Sequence, residues 1–109
     1  MSNEHMFLYN VTVKVDHLVH NKWLAWMKVV HIPHMMDTGC FLEYTISRLL
    51  GTDESDGFTY SIQYLAKSFS TYQIYEEKFA AKMQKEHYDE FKDQFVAFRT
   101  IMKVVERGD

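Results

Sequence analysis

Cysteine is almost missing from this chain of 109 residues: Cys40 stands alone. No intrachain disulfide can staple the fold, and a reducing compartment, the cytoplasm, is the expected location. Proline occurs once, at Pro33, and the four glycines are not gathered into one loop. Neither a low-complexity linker nor a glycine-rich phosphate cradle is therefore expected. No apolar run approaches the ~20 residues of a membrane helix. The polar opening at residues 1–5 is not a basic segment followed by an apolar one, so a signal peptide is not expected either. Basic charge is thin as well. Twelve Lys and Arg stand against fifteen Asp and Glu, giving a net charge of -3, and they form no stripe. The electrostatic footprint of nucleic-acid binding is missing. There is no nucleophile elbow and no Cys-x-x-Cys.

Aromatic residues are what the chain has in excess: eight Phe, seven Tyr and two Trp. That is more bulk than one small core easily hides, and it points to a lined cavity or an aromatic interface. The length fits one domain over residues 1–109.

Residues 6–15 alternate, with Tyr9, Val11, Val13 and Val15 on one face, and predict a strand. Asp16 is placed to cap the helix after it. From residue 19 to 30 the period becomes helical, with Val19, Trp23, Met27 and Val30 on one face and Trp26 beside them. Pro33 biases Ile32 away from helical geometry, so the helix should stop there, with a second short helical piece through residues 34–37 and Gly39 as its stop. Residues 41–50 and 58–67 alternate again around a polar, glycine-flanked loop at 51–57, predicting an antiparallel hairpin. Ser70 and Gln73 have capping-box spacing. A long helix comes next, with Tyr72, Tyr75, Phe79 and Met83 recurring, and a break is expected near residues 86–88. Residues 95–105 read as a last strand before a polar tail at 106–109.

The order β, α, β, β, α, β predicts an α+β, ferredoxin-like fold: a four-stranded antiparallel sheet with the helices on one face. The other face would be open. The last strand has Val96, Phe98, Met102 and Val104 on one side and Phe95, Ala97, Ile101 and Val105 on the other. Apolar groups on both sides predict that two open faces cover each other in a homodimer.

The segments Trp23-Leu24-Ala25-Trp26-Met27, His31-Ile32-Pro33-His34-Met35-Met36 and Thr38-Gly39-Cys40-Phe41 resemble a recurring piece of the dimeric α/β-barrel superfamily. With Tyr9-Asn10-Val11-Thr12-Val13 and Phe98-Arg99-Thr100, the chain resembles, more narrowly, a bacterial domain-of-unknown-function family, the DUF4286 type. The resemblance covers most of the chain. It implies a ferredoxin-like fold and a face-to-face dimer. The narrow family implies no activity. The wider superfamily includes cofactor-independent quinone-forming monooxygenases, haem-degrading enzymes and EthD-like proteins, and fold alone does not choose among them.

His31 is the most interesting titratable group, since it sits where the first helix should break. It could serve as a general base. The plainer reading is that it caps the last helical carbonyls. His17 with His20, and His31 with His34, have an i, i+3 spacing, but Pro33 interrupts the second pair and neither has a Cys or acidic partner in phase. No metal and no cofactor are expected. Trp26 is a candidate pocket wall, whereas Trp23 should be core. Tyr44 and Tyr60 could offer hydroxyls to a cavity between sheet and helices. Asn10 and Arg99 are polar groups embedded in strands that need partners, at an interface or on a ligand. Two functions remain open. The first is a homodimeric binding or structural module without catalysis, accommodating at most a small apolar molecule. The second is a cofactor-independent monooxygenase- or isomerase-like enzyme on a small aromatic or apolar substrate. In it His31 would be the base, Trp26 the wall, and Asn10 or Arg99 the oxyanion or orienting group.

Overall fold

A computed structural model describes residues 5–108; most of the polar opening and Asp109 of the polar tail lie outside the described residues. The elements run β1 (Phe7–Asp16), a 3-10 turn (His17–Val19), α1 (His20–Trp26), a π-helical turn (Met27–His31), α2 (Ile32–Asp37), β2 (Glu43–Arg48), β3 (Gly57–Ala66), α3 (Phe69–Lys78), α4 (Ala80–Glu90) and β4 (Phe95–Lys103). The sheet order is β2-β3-β1-β4 and every neighbouring pair is antiparallel. This is the ferredoxin-like α+β layout, with the helices on one face. Among the described residues no helix is long and apolar enough to cross a membrane.

The pairing register decides which side chains meet the helices. Val11 faces Ile62 on one side and Arg99 on the other, and Tyr9 faces Tyr64 and Ile101. Because side chains alternate, Tyr9, Val13, Val15, Tyr60, Ile62 and Tyr64 share the helix face, where they are buried. The opposite face carries Asn10, Thr12, Ser61 and Gln63 at its centre and Val96, Phe98 and Met102 along β4. Ser61 donates to Asn10 Oδ1 at 2.6 Å, and Asn10 Nδ2 donates to Thr12 Oγ1 at 2.9 Å. So the open face is a polar centre with an apolar margin, and the expectation of apolar groups on both sides holds only for β4.

Several boundaries differ from the sequence expectation. The first helix does not stop before Pro33. Ile32 keeps φ -62° and ψ -43°, and its N–H bonds to the Met27 carbonyl five residues back. The widened turn absorbs the missing proline N–H and the ring's clash with the preceding turn, at the level of a single π turn instead of a break. Gly39, at φ 76°, ends α2 in the left-handed region as expected. The strand expected from residue 41 begins at Glu43, because Phe41 turns into the core instead. Ser68, not Ser70, caps α3: its Oγ accepts from Thr71 N–H at 3.2 Å. The break in the second helical stretch falls at Phe79, φ -127°, not near residues 86–88. Glu86 and His87 therefore lie within regular α4. The last strand ends at Lys103, short of Val105.

Gly57 opens β3 opposite Asp16, and a Cβ there would meet the backbone carbonyl of Val15. That carbonyl belongs to a fully buried strand residue and cannot move aside cheaply. Gly57→Ala is expected to cost about 1–3 kcal/mol, read as a lowered midpoint in urea unfolding.

Candidate functional site

Three layers of side chains converge between the sheet and the helices. The helix face of β1 and β3 contributes Tyr9, Val11, Val13, Ile62 and Tyr64, and the first helical stretch contributes Met27, His31 and Met35. From α3 and α4 come Tyr75, Met83, Gln84 and His87, and from β4 comes Arg99. Together they line one narrow cavity. Its volume open to the centre of a water molecule is about 20 Å³, room for a single water. Its walls are apolar, and its polar groups are two histidines, tyrosine hydroxyls near Arg99, and Gln84.

His31 is nearly buried, and its ring does not cap backbone carbonyls. Its Nδ1 lies 3.0 Å from Glu86 Oε1. An ionised carboxylate only accepts, so Nδ1 carries the hydrogen and Nε2 is left as the basic nitrogen of the neutral ring. Burial pushes the His31 pKa down; the hydrogen bond and charge of Glu86 oppose this without cancelling it. Burial would raise the Glu86 carboxyl, but the hydrogen bonds from His34 and His31 outweigh it and hold Glu86 below its usual value. Trp26 stacks on His31 at 5.2 Å between ring centroids and on His87 at 5.9 Å, with Phe91 edge-on at 5.3 Å.

His87 is the group that the sequence did not single out. It is buried and lies flat on Phe95, with centroids 3.8 Å apart. Its Nε2 accepts the indole N–H of Trp23 at 2.9 Å. A protonated ring would present N–H to N–H there, and burial disfavours the charge. Burial first, then the charges of His31 and Arg99, bring its pKa from 6.5 down to about 3. Tyr9 and Tyr75 are pushed up by burial, with Arg99 opposing. Both stay protonated hydrogen-bond donors at neutral pH. Tyr75 donates to Met35 Sδ at 3.4 Å.

The structure brings some expected site residues together and separates others. His31 and Arg99 line the cavity, with Trp26 against the His31 ring. Asn10 sits on the opposite face of the sheet, bonded to Ser61 and Thr12, and cannot reach the cavity. Tyr60 pairs with His20 and packs on Trp23 away from it. Tyr44 is half-exposed on the edge strand and borders a different groove, with Glu43 and Arg107. Cys40 is free and buried. The i, i+3 histidines do not gather around a common point as ligands. His17 bonds the Glu54 carbonyl, His20 the Tyr60 hydroxyl, and His31 and His34 the Glu86 carboxylate. Among the described residues no set of three or more His, Cys, Asp or Glu is arranged to hold a metal ion.

The fold and this site define a ferredoxin-like domain with a histidine-bearing cavity between its layers. The chain belongs to the family described as Domain of unknown function (DUF4286), which matches residues 6–105. No curated protein matches it. Among solved structures it is similar to an EthD-like protein of Ralstonia eutropha, with TM-score 0.69 and 16% identity over 96% of each chain. It is also similar to a monooxygenase of Streptomyces coelicolor in complex with nanaomycin D, with TM-score 0.61 and 15% identity over 96% of this chain and 90% of that one. A third is a dimeric ferredoxin-like protein from an uncultured marine organism, with TM-score 0.59 and 14% identity over 96% and 100%. At these identities the likeness shows the fold.

Acid should destabilise the protein through His87. Its folded pKa lies below the unfolded value, so its contribution is fully present above about pH 6.5 and is lost as pH falls toward about 3. His31 acts in the same sense. Urea unfolding at pH 5 is expected to give a stability about 2 kcal/mol lower than at pH 7 from His87 alone. In His87→Gln, which keeps an acceptor for Trp23, that difference shrinks.

Proposed function

We propose that this chain forms a homodimer in which each subunit carries a small-molecule site between sheet and helices, with His31 as general base. The observation that carries the reading is the His31 ring itself: held at Nδ1 by Glu86, it lines a cavity that Arg99 also lines. Nε2 takes a proton from an acidic C–H or a phenolic O–H of a small aromatic or apolar molecule. The electron pair stays on the substrate as an enolate or phenolate, and the Arg99 guanidinium stabilises that anion. Return of the proton at another carbon completes an isomerisation. Reaction of the same anion with dioxygen, the oxidant, is the first step of an oxygenation. Three methionines, Met27, Met35 and Met83, form much of the wall, and their flexible side chains let a tight cavity open around a ligand.

The tightness of the cavity favours a second reading, in which the aromatic cluster is simply packed and the dimer binds or scaffolds without catalysis. Exchange of the acidic C1 protons of 2-tetralone in D2O, followed by proton NMR, separates the two. The wild-type protein is expected to accelerate exchange, and His31→Gln to lose at least about 100-fold of that rate. Exchange no faster than with free imidazole would leave the non-catalytic reading.

Pairing through the open sheet face is part of the proposal. Phe98 and Val96 are 69% and 56% exposed on the β4 margin of that face. A solved relative in fold is described as dimeric, which supports the pairing. Light scattering is expected to give twice the 13.0 kDa chain mass, and Phe98→Glu to shift the protein to the monomer. A wild-type monomer at micromolar concentration would sink the pairing. A cytoplasmic location, expected from the lone cysteine, completes the proposal.

A further inference from the structure

Glu86 has two carboxylate oxygens and each holds a different histidine. His31 Nδ1 is 3.0 Å from Oε1, and His34 Nδ1 is 2.8 Å from Oε2. The three side chains form a line from interior to surface: 9% exposed at His31, 24% at Glu86 and 49% at His34. His34 and Glu86 also border a groove open to solvent, together with Asp37, Thr38 and Lys82.

We propose that His34 is a positioning residue for His31, acting through the carboxylate they share. This role rests on the reading of His31 as general base. With both oxygens engaged, the carboxylate plane is fixed at two points, and so is the His31 tautomer that leaves Nε2 without a hydrogen. Freed from His34, Oε2 can turn to water and the hold on His31 loosens. Charge passes along the same line. Positive charge at His34 opposes protonation of His31, against the pull of Glu86. The other charged or titratable groups lining the cavity with His31 are Tyr9 and Tyr64 from β1 and β3, Tyr75 from α3, His87 from α4 and Arg99 from β4, and Asp37 and Lys82 lie with His34 at the groove.

Ring nitrogen and carbon NMR titration of the intact protein tests this without any substrate. In the wild type, His31 is expected in the Nδ1–H tautomer. His34→Ala, at a half-exposed position, is expected to loosen the carboxylate and mix the His31 tautomers. His34→Gln, whose amide can still donate to Oε2, should restore the tautomer. Glu86→Gln should lower the His31 midpoint by about one unit or more. An unmoved His31 tautomer in a folded His34→Ala protein overturns the proposal, whatever Glu86→Gln does. Failure of the base reading is distinct: His31→Gln would leave 2-tetralone exchange unchanged while the tautomer change in His34→Ala persists.

Discussion

The single π turn at Met27–His31 is the constraint on which the rest of the site depends. A regular α-helix across this stretch would drive the Pro33 ring into the turn before it and leave a carbonyl without its donor. A full break would send the chain away from the sheet before Met35 could reach the core. The wide turn avoids both. It carries the helix through proline and keeps Met27, His31, Ile32 and Met35 buried against the sheet while Val29 faces solvent. The price is one wider, less well-packed turn, and such turns recur at functional sites. Here it sets a histidine against a cavity.

Burying two neutral histidines beside each other is costly unless their polar atoms are bonded. The chain meets that cost with two different partners. His87 takes the indole N–H of Trp23, a donor that cannot be removed by pH. His31 takes a carboxylate, a partner that strengthens it as a base. The two rings, 5.5 Å apart, are thereby pushed toward different chemistry. His87 is locked as a neutral acceptor and belongs to the packing. His31 keeps a basic nitrogen. The pattern of two like groups with divergent environments is how one small site assigns separate roles.

Much of the fold could be read from alternation alone. Tyr9, Val13, Tyr60 and Ile62 fall on the helix face because β periodicity is strict, and one register fixes them all. The errors have local causes. Proline is a strong stop signal, and nothing in the local sequence announces a π turn that rescues it. Ser70 matched a capping box, but Ser68 is the extended residue from which the helix begins. The candidate site was legible only in part. His31, Trp26 and Arg99 stood out by residue type, and all three lie at or against the cavity. Glu86 lies 55 positions from His31, with His87 just after it, and neither carries a motif. Only the packing of α4 on the first helical stretch brings them in. Asn10 and Arg99 looked alike as polar groups inside strands, yet a one-residue difference in register puts them on opposite faces.

The separation of Asn10 from Arg99 bears on how pairing and chemistry relate. Asn10 pairs with Thr100, and Val11 with Arg99. The open face and the cavity are thus the two sides of the same pair of strands. Every residue of the proposed site, His31, Glu86, His34 and Arg99, comes from one chain and one side of the sheet. A partner seated on the open face would touch β1 and β4 from behind. It would cover Phe98 and stiffen the edge strand that carries Arg99, without adding a side chain to the cavity. Pairing would then act on stability and on the placement of Arg99, and the proton chemistry would belong to each subunit alone. The polar centre of Asn10, Thr12 and Ser61 suits that arrangement. Its hydrogen bonds are satisfied within the subunit, so a facing copy can bury it without orphaning a polar group.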